Sequence, residues 1–202
     1  SRNNPDTNGP ALPGDAYEFT VTPTANEHYL SLATMVVQSN DAFFAFGPEG
    51  VALLDEQGSP RDPAAIAADV ARTLDVWDVG SEANEVPGVG PNQVLQQSGP
   101  DTGPADPDNT VRKYSDVTND LGGPLAGGFA QVFVSQPNAG MLEIRVENTS
   151  GGSAFPGILT PIAWAVHSES TGLFTGGMPA SPGLAALAED GDPSVLAAEL
   201  AA

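Results

Sequence analysis

Apolar and polar positions alternate along several short stretches of this chain, and that period of two predicts strands. YEFTVT (Tyr17–Thr22) is the first. LSLATMVVQ (Leu30–Gln38) is a longer apolar run, followed by AFFAF (Ala42–Phe46) and VALL (Val51–Leu54) with GPEG as the turn between them. FAQVFV (Phe129–Val134) and MLEIRVE (Met141–Glu147) alternate again, and SQPNAG between them suits a hairpin connection. GILTPIAWAVHS is a further apolar strand in which Pro161 marks an edge or a bulge.

A different period marks the helices. In DPAAIAADVARTL, Ile66, Val70 and Leu74 recur at i, i+4 and i+8, Asp62 suits the N-cap and Pro63 the first helical position. Ser181 and Pro182 open a second helix that Gly191 closes, and Asp192 with Pro193 opens a third in which Leu196 and Leu200 share a face. The opening residues 1–15 read as loop, as does the stretch from Asp75 to about Leu125. A loop that long inside a compact domain is usually functional or mobile. About seven strands and three short helices predict an all-β fold with minor helices, an antiparallel β-sandwich with the helices at its edge.

Composition narrows the function. The 202 residues suit one domain, and Gly (23) and Pro (19) fit a loop-rich β architecture. With 26 acidic residues against 6 basic ones, the net charge is -20. Phosphate would be repelled, so nucleic acid and anionic membrane are poor partners, whereas hard cations are good ones. Such a surface also fits salty, halophilic surroundings, where counterions screen self-repulsion. The absence of cysteine excludes disulfides and thiolate chemistry. No apolar run is long enough to span a membrane, and the start reads as a processed or truncated end without a signal peptide.

DVWDVGSEANE (Asp75–Glu85) concentrates two Asp, two Glu and an Asn around Gly80. Calcium takes six to eight oxygen ligands in flexible geometry, which such a loop can supply, although an acidic chain also carries acidic loops as plain solvated surface. The EF-hand spacing is absent. Asp75 lies at a helix C-terminus, where negative charge is mildly unfavourable, and reads as surface. His167 in AVHSES could pair with a nucleophile, but sequence neighbours on a strand face opposite ways, so a structural role is favoured. His28 reads as a turn residue, and Trp77 and Trp164 as packing residues. Two distant His and no Cys do not make a zinc site. Asn148 heads an NTS sequon in an expected exposed turn, and the Arg112–Lys113 pair is too small for a nucleic-acid patch.

Three segments together resemble the spondin domain, especially its bacterial relatives. ATMVVQSNDAFFAF is similar to the family's strand and S/T-x-D-aromatic turn, and DVGSEANE to its D-A-G-T-[DE] loop. TPIAWAVHSESTGLFTGGMPASPGLAALAEDGDPSVLAAEL is similar to its segment with the H-S pair, the L-F-x-x-G turn and the A-S-x-G-L helix start. The matches cover about half of the chain but run in the reverse order. Residues 1–140 match the family's later part and 141–202 its first part, as in a circular permutant of one spondin domain. The permuted chain could close on itself, be one repeat of a tandem array cut out of phase, or lend residues 141–202 to a neighbour and so build a polymer.

The resemblance implies a spondin-type sandwich and a calcium site. Asp78 and Glu82 match the two acidic positions of the family loop, and Asp41 the acidic position of the turn. The backbone carbonyls of Leu74 to Trp77 are expected as further ligands, and Asn84 and Glu85 as reserves. The function implied is non-enzymatic: an extracellular or cell-surface adhesion module stabilised by Ca2+, assembling as a homo-oligomer or a filament by strand exchange, with a cell-surface or matrix partner. The alternative is a soluble secreted protein that binds carbohydrate or another small ligand, with the long loop 86–128 as the mouth of its site.

Overall fold

The computed structural model describes residues 9–117, 129–152, 156–168 and 172–201. The expected loops at residues 1–8 and 118–125 lie outside these. The architecture is mostly β, built from two antiparallel sheets with a few short helices. In the smaller sheet, β8 (Met141–Asn148) lies between β1 (Ala16–Val21) and β7 (Ala130–Asn138). The hairpin is tighter than expected: β7 and β8 pair out to Asn138 and Met141, with a register shift between Ser135 and Asn138.

The larger sheet is centred on β2 (Tyr29–Met35). On one side β2 pairs with β3 (Ala42–Ala45) and β4 (Val51–Ala52), and on the other with β9 (Ala163–His167). Beyond β3 come β5 (Asp75–Asp78) and β6 (Arg112–Lys113). Here the expectation of loop from Asp75 onward is corrected. DVWD is too short to show a period, but Val76 and Trp77 are buried on opposite faces, so the segment is a central strand. The apolar run around Pro161 is shortened for the opposite reason. Proline lacks the N–H a ladder needs, and β9 starts only at Ala163, while Leu159 makes isolated bridges to Ala11 and Val36.

Two layers of apolar side chains hold these sheets. One lies between them and includes Leu32, Phe44, Phe46, Leu142 and Ile144. Its flank is covered by α1 (Pro63–Thr73), which buries Ile66 and Val70. Asp62 caps α1 by accepting from the Ala64 N–H at 2.8 Å. The second layer lies on the other face of the larger sheet, where Ala33, Phe43 and Trp77 meet α3 (Pro182–Asp190) and α4 (Ser194–Leu200). As the sequence predicts, Ser181 caps α3 and Gly191 ends it in the left-handed region. A one-turn α2 (Tyr114–Val117) follows β6. Of the C-terminal strands, β8 pairs with β1 and β9 with β2. Among the described residues, no helix is long and apolar enough to cross a membrane.

The sequon is a further correction. Asn148 is fully buried rather than in an exposed turn. Its amide donates to the carbonyls of Ala11 and Gly157, both at 2.9 Å, and its oxygen accepts from Ser150. With its amide engaged in the interior, Asn148 has no room for a glycan in this fold.

Candidate cation site

Asp41 and Asp78, 37 positions apart in sequence, meet at the ends of two neighbouring interior strands of the larger sheet. Asp41 precedes β3 and Asp78 ends β5, whose register pairs Ala42 with Asp78. Both side chains are fully buried. The Asp41 carboxylate organises the following loop: its Oδ2 accepts from the backbone N–H of Ser81 (2.9 Å) and Glu82 (3.0 Å) and from the Ser81 hydroxyl. Gly80 makes that bend possible. Its φ of +76° is left-handed, and a Cβ there would run into the Thr110 backbone.

The other oxygens at this spot are orphaned. Asp41 Oδ1, Asp78 Oδ1 and Asn84 Oδ1 are buried without a hydrogen-bond partner, while Asp78 Oδ2 accepts from the Asn84 amide. Burial, then the charge of Asp78, pushes the Asp41 carboxyl up to about 8, against the pull of the Glu82 and Ser81 N–H groups. Burial also raises Asp78, opposed by Asn84 and Arg112. Arg112 does not neutralise the pair. It stands 3.5 Å from Asp78 Oδ1, whereas it approaches Asp106 at 2.6 Å and Asp108 at 3.1 Å, so its charge is shared among three carboxylates. Each of these three side chains, Asp41, Asp78 and Asn84, thus keeps one buried oxygen without a hydrogen-bond partner, and oxygen is the donor that a hard cation takes.

Glu82 is placed differently from Asp41 and Asp78. It is buried, but Oε1 accepts from the Gly103 N–H at 2.7 Å and Oε2 from the Asn40 amide at 3.4 Å. Its carboxylate stands with those of Asp101 and Glu189, one oxygen of each lying within 4.8 Å of the others. Burial raises both Glu82 and Glu189. The loop 79–85 therefore has an acidic group on each side, one on Asp41 and Asp78 and one on Glu82. Glu85 turns away to bind Asn92, although its backbone N–H reaches Asn40 Oδ1 at 2.9 Å.

Trp77 does not join either group through its side chain. The indole packs edge-on against Phe174 and under Lys113, and its backbone is flanked by Phe43 on β3 and Lys113 on β6. Asp75 binds Lys113 at 2.7 Å at the far end of β5, in keeping with a surface role. His167 is structural in its contacts: its Nδ1 lies 2.6 Å from the Ser168 carbonyl and its Nε2 2.8 Å from the Ser31 hydroxyl, tying β9 to β2. Asn40, Ser81, Asp101 and Glu189 have no place in the sequence reading, and Arg112 enters it only as half of a basic pair; Glu189 gives no signal on a helix marked by its caps.

Comparisons with family models, curated proteins and solved structures found nothing that matches this chain.

Proposed function

We propose that this chain is a structural or adhesion module of an extracellular surface, non-enzymatic, stabilised by a calcium ion held between Asp41 and Asp78. The observation that carries the cation is the set of three buried oxygens without donors, on Asp41, Asp78 and Asn84. Calcium is chosen because the donors are all oxygen and the loop is irregular, which its flexible coordination tolerates and the stricter octahedron of magnesium does not. The ion would remove the repulsion between the two carboxylates and lock the loop 79–85 to the ends of β3 and β5. Glu82 would contribute by fixing that loop, with its carboxylate turned to Asp101 and Glu189. The surface role rests on the spondin resemblance and on an acidity unsuited to nucleic acid. The pairing of β8 with β1 and of β9 with β2 in one chain supports a module that closes on itself.

The test is thermal unfolding of the wild type and Asp78→Asn, each in calcium and in chelator. Calcium should raise the melting temperature of the wild type, and the variant should lose that gain while standing level with or above the wild type in chelator, because it removes one of two buried charges. Equal losses in both conditions would sink the assignment.

A further inference from the structure

Two apolar features of the surface lie outside the cation site. The first is a loop. Residues 86–100 hold no charged side chain, in a chain where 16% of residues are charged. Val86, Val89 and Leu95 point outward, 58%, 68% and 68% exposed. The loop is not loose. The buried side chain of Gln93 donates to the Val86 carbonyl (2.9 Å) and accepts from the Gly88 N–H (2.7 Å). Gln96 donates to the Gly88 carbonyl, the Gly88 N–H donates to the Gln38 carbonyl, and Gln97 ties the far end to Asp190 on α3. Polar side chains thus build the inside of the loop and aliphatic ones its outside, the reverse of an ordinary surface loop.

The second is a groove of about 410 Å³ between α1 and β7, lined chiefly by Ala67, Val70, Ala71, Leu74, Val132 and Val134. Its β7 wall is equally free of charge, since residues 129–142 carry none. None of the loop residues lines this groove. A volume of this size lies in the range that encloses small ligands and so admits two or three aliphatic side chains.

From these features we infer that the loop of one molecule seats Leu95 and its neighbours in the α1–β7 groove of a second copy. The occupant follows from charge. Two molecules of net charge -20 repel over most of their surfaces, and approach is least opposed where both are neutral. The loop and the β7 wall of the groove are such surfaces, both are apolar, and on α1 the neighbouring charges of Asp69 and Arg72 pair with each other. The loop is held in shape beforehand, so little ordering entropy opposes docking. A knob and a groove at different places on one molecule make a heterologous contact, which propagates into chains of molecules rather than closing as a pair. This reading stands apart from the cation and needs no exchange of strands.

The experiment is sedimentation velocity on the full chain over a range of concentrations, in salt sufficient to screen the net charge. The wild type should form a ladder of oligomers. Leu95→Asp and Ala71→Glu should each weaken association at least tenfold, with circular dichroism and melting unchanged. An equal mixture of the two should recover a dimer and stop there, because one variant keeps the groove and the other the loop. Val89→Asp and Ala67→Glu repeat the test should a first variant fail to fold. A wild type that stays monomeric, a mixture that fails to dimerise, or variants that assemble like the wild type would overturn the inference. So would a monomer whose loop binds uncharged lipid vesicles and loses that binding in Leu95→Asp.

Discussion

Replacing Asp41 by Asn should have effects of opposite sign with and without calcium. The asparagine oxygen can keep the acceptor role toward Ser81 and Glu82, while the amide replaces the orphaned Oδ1. Without a cation, the folded wild type holds a proton on Asp41 up to a pH of about 8, whereas the unfolded chain releases it near 3.8. Each pH unit between these values costs the folded state about 1.4 kcal/mol. Relaxation and water entry trim the full span, which leaves roughly 2–4 kcal/mol at neutral pH. The asparagine variant has no such cost, so in chelator it should melt roughly 5–10 °C above the wild type. In calcium the order should reverse or close. The wild type gains about 2.7 kcal/mol at a hundredfold excess over its dissociation constant, and the variant, short of one charged ligand, gains much less. Calorimetric melts in chelator and in millimolar calcium read both effects. A variant destabilised equally in both conditions would show that Asp41 only braces the loop, and would refute the reasoning.

Three further outcomes follow from the same contacts. The raised carboxyls of Asp41, Asp78, Glu82 and Glu189 all bind protons more tightly in the folded state, so the stability they contribute is complete below their unfolded values. It is lost as pH rises, for Asp41 through about 8, and melting in chelator should fall across that window while calcium flattens the profile. Gly80→Ala should cost about 2 kcal/mol or more in urea unfolding and reduce the calcium gain, because the φ of +76° and the Thr110 backbone both resist a Cβ. Asn148→Ala should cost about 1–3 kcal/mol by the same assay, since it removes four buried hydrogen bonds, although the Ala11 carbonyl keeps the Leu159 N–H and the Gly157 carbonyl keeps the Ser150 hydroxyl.

What could be read from the sequence followed the strength of the local pattern. Strands with a clear alternation, such as MLEIRVE, and helices with a Ser–Pro start and a Gly stop lie where the pattern puts them. DVWD could not be read because a four-residue strand buried on both faces has no period to show. At the site, local chemistry pointed to the acidic loop, but only the resemblance joined it to Asp41, forty residues away. Pairing of Ala42 with Asp78 is a long-range register, invisible in either segment alone. The same limit explains Glu82. Its spacing from Asp78 suggested one shared set, whereas the bend at Gly80 sends its carboxylate to Asp101 and Glu189, which lie 19 and 107 positions further along the sequence. Asn148 was misread because a sequon at a strand end looks exposed until the Ala11 and Gly157 carbonyls close over it.

The central claim is a specific cation between Asp41 and Asp78, and calcium titration by isothermal calorimetry at several pH values tests it most directly. One saturable site is predicted, with protons released on binding and affinity that tightens as pH rises toward 8, because the ion displaces the proton on Asp41. Asp78→Asn should abolish that site. Many weak sites with no proton release, unchanged in the variant, would mean that calcium meets only the acidic surface, and would contradict the account.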